Sequence, residues 1–199
     1  MKKAALLCVI FLCFHQLSVA QREAPHLLIG GGRSLFGTGD LVGYSFFNEV
    51  DLPLTKSLFL SPGLQLSNAS RSYQLMNFTL QYITNSVNLY TNINYRILNR
   101  SRNHISIGAG PVVRYQNTSI PDGASATLQP SGEYALGLDY TQPTSTLTIG
   151  YNVSPSYSYQ FSKKFSLGVK LVLQNDTQGD IVTSEMLFLG IDLQSGKQR

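Results

Sequence analysis

An eighteen-residue stretch, "TSTLTIGYNVSPSYSYQF" at 144–161, alternates between apolar and small polar residues almost without a break. Successive side chains of a β-strand point to opposite faces, so a strict period of two predicts a strand with one apolar face. The apolar parity holds Leu147, Ile149, Tyr151, Val153, Pro155, Tyr157, Tyr159 and Phe161, and the polar parity holds Thr148, Gly150, Asn152, Ser154, Ser156, Ser158 and Gln160.

The same alternation recurs along the chain and predicts about eight strands. Two stretches are less regular: glycines blur the faces of "HLLIGGGRSLF", and Asn48 interrupts the apolar parity of "VGYSFFNEVDL". Most of the predicted strands reach the roughly 9–11 residues that cross a bilayer, whereas strands of soluble domains average about 5–6. The clearest further repeats lie at 58–67, 87–97, 104–115, 165–174 and 186–193.

The polar face of these strands is unusual for a surface in water. Charged residues make up 13% of the chain, roughly half the usual share, and the polar parity holds mostly Gly, Ser, Asn and Thr. Small polar groups suit the crowded lumen of a narrow barrel, with the apolar face turned to lipid and the closed ladder satisfying the backbone. The sequence therefore predicts an all-β protein, a single antiparallel up-and-down transmembrane β-barrel. A soluble secreted or periplasmic β-barrel or sandwich, with its apolar faces around a hydrophobic ligand, is the alternative.

The first twenty residues, "MKKAALLCVIFLCFHQLSVA", have the charged, apolar and small-residue order of a secretory signal peptide. We expect cleavage after Ala20, which leaves 21–199 as the barrel domain. Both cysteines, Cys8 and Cys13, would leave with the signal, so no disulfide is expected. No later apolar run is long enough for a transmembrane helix, so a membrane role must be carried by strands.

The connections between the predicted strands differ in length and charge. "PLTKS", "NRSRN" and "SKK" are short and mostly basic, whereas the links at 68–85 and 116–144 are long. Short turns at one end and longer loops at the other are typical of outer-membrane barrels, with the turns in the periplasm. We therefore expect a monomer exported across the inner membrane to the outer membrane, in contact with its lipid, that binds an unknown surface partner through loop 116–144.

A few charges fall on the polar parity and would lie in the lumen. Because an unpaired buried charge is costly, we expect some of them to pair there in a structural role. These residues are Glu49, Asp51, Arg96, Arg114, Lys170 and Asp192.

The sequence offers no set of residues for catalysis, a metal ion or a cofactor. The mature chain would keep only His26 and His104, which are far apart in sequence, and no cysteine. The glycine-rich "IGGGRSLFGTG" lacks the lysine and the following helix of a phosphate-binding loop. No basic cluster is interleaved with aromatic residues, so nucleic acid is not an expected partner. We expect no enzyme activity.

Two neighbouring strands carry a family resemblance. "ISIGAGPVVRY" at 105–115, preceded by "VNLYTNINYRI" and a basic turn, resembles the small outer-membrane β-barrel family common in Bacteroidota, which shares the architecture of OmpA- and OmpX-type barrels. The resemblance implies a non-catalytic, porin-like integral barrel, inserted by the barrel assembly machinery, with a structural or surface-interaction role through its outer loops. The chain departs from such barrels at its end, since "QSGKQR" follows Leu193 and the nearest aromatic residue is Phe188.

Overall fold

The computed structural model describes residues 24–37, 41–75, 78–119, 121–128, 130, 134–140 and 144–193. The expected signal peptide and the "QSGKQR" end lie outside the described residues. Within the described residues, no helix has the length and apolar character needed to span a membrane.

The described chain forms ten antiparallel strands. They are β1 (His26–Phe36), β2 (Leu41–Pro53), β3 (Leu58–Leu75), β4 (Phe78–Arg100), β5 (Asn103–Ser119), β6 (Pro121–Leu128), β7 (Tyr134–Tyr140), β8 (Thr144–Gln160), β9 (Phe165–Asp176) and β10 (Ile181–Asp192). Eight of them close into a barrel in the order β1-β10-β9-β8-β5-β4-β3-β2, and β6 and β7 form a separate two-stranded hairpin. The predicted eight-stranded transmembrane β-barrel fold is confirmed.

The stagger of the ladder sets the tilt of the strands. A path from Leu52 through its cross-strand partners on each successive strand returns to β2 at Val42, ten residues away. A stagger of ten residues over eight strands corresponds to a tilt of about 40° and a rise of about 3 Å from one strand to the next.

The two parities of each barrel strand separate cleanly into an apolar outer face and a polar lumen. Leu147 and Ile149 are 70% and 60% exposed, while Asn152 and Ser154 of the same strand are buried. The glycine-rich β1 follows the same rule, since Ile29 is exposed and Ser34 is buried. In the sequence, the glycines obscure which residues of β1 face outward. In the structure, the outward-facing residues are Leu27, Ile29, Gly31, Arg33 and Leu35.

The outer apolar surface is a band of limited height. On β8 it runs from Leu147 to Tyr157, about 25 Å along the barrel axis at the tilt given above, close to the apolar height of outer-membrane barrels. Polar residues bound it at the hairpin end, where outward-facing Asn68 donates a hydrogen bond to Asn85 at 2.6 Å. Exposed aromatic residues bound it at the short-turn end, namely Tyr95, Tyr157, Tyr159, Phe161 and Phe165.

Three prolines lie inside barrel strands, at places where one ladder is interrupted. Pairing of β2 with β3 lapses beside Pro62, that of β4 with β5 beside Pro111, and that of β8 with β9 beside Pro155. The register is the same on both sides of each gap. Because proline has no N–H to donate, the local loss of pairing is expected, and a strand of this length tolerates it.

The long links predicted at 68–85 and 116–144 are largely paired strands rather than loops. β3 and β4 remain in register from Asn68 opposite Asn85 to Leu75 opposite Phe78, so they form a hairpin that projects past the polar boundary. The second link holds the β6–β7 hairpin. The Gly, Pro, Ser and Thr content of 116–144 favours a loop, but pairing within each hairpin satisfies the backbone locally.

We predict that a charge at mid-band on the outer face will destabilise the barrel in lipid. Leu89 is exposed on the outer face of β4 between its cross-strand partners Leu64 and Val113, and Leu89→Arg should lower the free energy of unfolding by about 2–4 kcal/mol. The control Ser70→Arg, beyond the polar boundary on β3, should cost at most about 1 kcal/mol. Urea unfolding in phospholipid vesicles measures both, and equal effects of the two variants would contradict the inserted band.

Candidate functional site

A buried ion pair in the lumen joins two strands, β9 and β2, that are three strands apart around the barrel. Lys170 Nζ on β9 lies 2.5 Å from Glu49 Oε2 on β2, and the two residues are 3% and 1% exposed. The rings of Phe47 and Tyr90 flank the ammonium group, with centroids 5.1 Å and 5.6 Å from Nζ. The pair and its aromatic neighbours therefore join side chains from β9, β2 and β4 at this level of the lumen.

Glycine on the lumen face makes room for this arrangement. Gly63 lies opposite Tyr90 in the ladder, and a Cβ at this position would be 2.5 Å from the Tyr90 ring carbon Cζ. Gly168 lies opposite Phe188 in the same way, and a Cβ there would collide with the Phe188 ring. Each of these rings therefore lies over a glycine of the adjacent strand, which lets a large side chain fit inside a narrow barrel.

A second ion cluster lies nearer the hairpin end. Arg114 Nη2 on β5 is 2.6 Å from Asp176 Oδ2 and 2.8 Å from Asp180 Oδ2, and the arginine is 1% exposed. Asp176 also accepts hydrogen bonds from Thr148 Oγ1 and from the backbone N–H groups of Gln178 and Asp180. The turn between β9 and β10 is therefore fastened to the interior of the barrel.

A hydroxyl cluster fills the lumen beside β1. Ser34 Oγ hydrogen-bonds the hydroxyls of Ser45 and, at 2.7 Å, Ser184, while Ser45 and Ser67 are 2.6 Å apart. The Gln65 amide donates to three of these serines. Beyond them, a buried apolar cluster closes the hairpin end of the lumen, formed by Phe36, Leu41, Ala69 and Val182 with Tyr82 against it.

The short-turn end of the lumen opens into a polar cavity of about 340 Å³. His26 Nδ1 lies 2.6 Å from Asp192 Oδ1 at its wall, and His104 lines the same cavity. The two histidines, far apart in sequence, are therefore brought to one end of the barrel. Arg96 also lines the cavity and stacks on Phe59, with 4.3 Å from the guanidinium carbon to the ring centroid.

Two groups at the wall of the cavity also occur in hydrolase sites. The His26–Asp192 pair resembles the base and orienting group of a catalytic triad, and several serines line the same cavity. Among the described residues, however, no hydroxyl hydrogen-bonds His26. Across the same residues, no group of three or more His, Cys, Asp or Glu side chains is placed to hold a metal ion.

The structure places all six charges singled out from the sequence on the lumen face. Glu49 and Lys170 contact each other, whereas Arg114 and Asp192 contact Asp176 and His26. The fifth, Asp51, accepts hydrogen bonds from Ser61 Oγ at 2.5 Å and from the Asn94 amide at 3.3 Å, and the sixth, Arg96, stacks on Phe59 as described.

Sequence reasoning missed several partners of these charges. Asp176 shares the inward parity of Lys170 on β9, so its position could have been found by extending the alternation of that strand by two residues. Asp180 lies in a turn, where no periodicity applies, and only the fold brings it to Arg114.

An apolar outer band, a closed eight-stranded ladder and a lumen filled with paired polar groups together define the fold of small outer-membrane β-barrels. No protein-family model matches this sequence, and a search of curated proteins finds no match. Among solved structures, the fold is similar to Neisserial surface protein A (NspA), with 10% identity, a TM-score of 0.58, and coverage of 85% of this chain and 97% of that one. It is also similar to Ail, the attachment invasion locus protein of Yersinia pestis, with 9% identity, a TM-score of 0.50, and coverage of 85% and 98%.

We predict strong coupling between Glu49 and Lys170. Glu49→Gln and Lys170→Met each leave one group buried without its partner, so each should lower the free energy of unfolding by about 3–5 kcal/mol. The double variant should lose clearly less than the sum, because neither charge is then left alone. Urea unfolding in vesicles of the unaltered protein, the two single variants and the double variant completes this double-mutant cycle. Additive losses would show that Glu49 and Lys170 do not act as a unit.

We also predict that the barrel conducts almost no ions. An eight-stranded lumen is only wide enough to hold its own side chains, and here the ion pair and the apolar cluster at Phe36 occupy it. Planar-bilayer recordings should show no steady current. A large-channel porin recorded in the same bilayer serves as the positive control, and a sustained current from this chain would contradict the filled lumen.

Proposed function

We propose that this protein is a non-catalytic, integral β-barrel of the outer membrane with a structural or surface-interaction role. The observation that carries the proposal is the inversion of polarity, with Leu147 and Ile149 exposed and Glu49 and Arg114 buried. A surface of this kind is stable against hydrocarbon, where apolar side chains need no partner and the closed ladder leaves no backbone edge.

The same inversion argues against a soluble carrier of a hydrophobic ligand. A carrier needs an apolar interior, whereas this lumen is crossed by an ion pair and lined by serines and asparagines. Its cavity at the short-turn end is lined largely by polar and charged residues. In water, the outer band would expose far more contiguous apolar surface than monomeric soluble proteins carry.

The hairpins support a role at the cell surface. β3–β4 and β6–β7 extend past the same end of the barrel, while the opposite end carries short turns with Lys56, Arg102, Lys163 and Lys164. In outer-membrane barrels the short turns face the periplasm. In this orientation, residues 116–144 face outward and offer the surface on which a partner would bind.

Several further parts of the proposal rest on the sequence. They are export through the signal peptide at 1–20, insertion by the barrel assembly machinery, and kinship with the Bacteroidota-type family. The names of NspA and Ail describe a surface protein and an attachment protein, which agrees with a surface role, but similarity at this level of identity concerns the fold.

Membrane insertion and orientation can be tested together in a Gram-negative host. The full chain should stay with the membrane fraction during washing without detergent, and unboiled samples should migrate differently from boiled ones. A peptide tag inserted after Pro130, between β6 and β7, should bind antibody on intact cells.

A matched tag inserted after Lys163, in the turn between β8 and β9, should bind antibody only after permeabilisation. Release of the protein into buffer would overturn the proposal of an integral barrel. Tags with the opposite accessibility would overturn the orientation and the outward role of 116–144.

A further inference from the structure

The outer band is broken by two charges that lie side by side. Arg33 on β1 and Glu185 on β10 both point outward, are exposed and are directly paired in the ladder. Glu185 lies midway along the outer face of β10 between Ile181 and Ile191. Arg33, on the next strand, is about 3 Å closer to the hairpin end of the barrel. We call these two residues the charged pair of the outer face.

The surroundings of the charged pair are lipid-facing. Leu187 lies next to Glu185 on the side of the short turns, and Leu171 lies beside Glu185 on β9. Leu35 follows Arg33 on β1, and all three leucines face outward. An arginine at mid-bilayer on a lipid-facing surface is strongly unfavourable. The Glu185 side chain is too short to reach headgroups from the middle of the band. This face is therefore poorly matched to hydrocarbon.

The charged pair does not neutralise itself within the barrel. Neither side chain makes a hydrogen bond or an ion pair with any part of the chain that the structure describes, although the two are cross-strand partners. Both groups remain available to ligands approaching from the side. A partner that satisfies both groups must present an acid at about the depth of Arg33 and a base at about the depth of Glu185.

A second copy of this chain meets that requirement. Two barrels inserted in the same direction are related by a two-fold axis along the membrane normal, which keeps every residue at its own depth. An axis between β1 and β10 places Arg33 of each copy opposite Glu185 of the other, so that two ion pairs form in a low-dielectric setting. The neighbouring leucines then exclude water and lipid from them.

We propose that the β10-β1-β2 face is a dimer interface in the membrane, closed by reciprocal Arg33–Glu185 ion pairs between two copies. This inference rests on the proposed membrane insertion and replaces the expectation of a monomer drawn from the sequence. Exposed Asn48 on β2 adds a third polar group at mid-band on the same face.

The test uses energy transfer between copies in phospholipid vesicles. The mature chain without residues 1–20 has no cysteine, so Lys163→Cys in the exposed turn provides one site for a donor or an acceptor dye. Transfer should exceed the level expected from random proximity as lipid is added. Arg33→Glu or Glu185→Arg alone should weaken association at least about 30-fold, because like charges then face each other.

Charge exchange separates this interface from a folding defect. A mixture of the Arg33→Glu and Glu185→Arg proteins should regain transfer, because each copy then supplies what the other lacks, and the double exchange within one chain should also regain it. Arg102→Glu, an equal change of charge at a remote turn, should leave transfer unchanged.

Insertion is checked first by vesicle flotation and by heat-dependent gel migration. Failure to insert would overturn both the proposed function and this interface. An inserted, folded protein that shows only random transfer, or single variants that stay apart when mixed, would overturn the dimer alone. The random-transfer result would then favour a different protein, or lipid alone, at this face.

Discussion

The closed ladder is the constraint on which the other features depend. Every barrel strand has a hydrogen-bonded neighbour on both sides, so the backbone requires no solvent and the outer surface is free to be apolar. The ten-residue stagger fixes the tilt, and the tilt converts long strands into a band of bilayer height. Where a proline withholds its N–H, the loss stays local because the register is unchanged beyond it.

The narrow lumen that closure creates decides which side chains face inward. Glycine and serine leave space for a few large side chains, as Gly63 does for the ring of Tyr90 on the adjacent strand. Charges in so small a volume need partners, and Glu49 and Arg114 have theirs on other strands. These contacts join strands that are not neighbours in the ladder, so the side chains of the lumen add links that the backbone does not supply.

Much of the fold follows from a period of two, because a strand facing lipid on one side and a crowded lumen on the other carries a strong alternation. The faces of β4, β5, β8 and β9 were correct from this signal. β1 could not be assigned because glycine carries no side chain to mark a face. The β6–β7 hairpin is not predicted, because the Gly, Pro and Ser content of the link favours a loop, although Leu136, Leu138 and Tyr140 share one parity of β7.

The candidate sites were less predictable than the fold. Inward charges could be chosen by parity, but their partners depend on which strands meet across the lumen, and Asp180 lies in a turn. Arg33 and Glu185 are 152 positions apart in the sequence and become neighbours only when β1 closes onto β10. Periodicity in the sequence predicts the faces of the strands, but it does not show which strands become neighbours when the barrel closes.

The height of the β3–β4 hairpin has a consequence for where this molecule meets its surroundings. Its paired strands continue from Asn68 to Leu75, about 23 Å along the strand, whereas the headgroup layer of a bilayer adds only about 5–7 Å on each side. In the proposed orientation, the tip of the β3–β4 hairpin lies beyond the lipid phosphates. A molecule that docks there is recognised at a distance from the lipid, so that changes in membrane composition should leave its affinity unaltered.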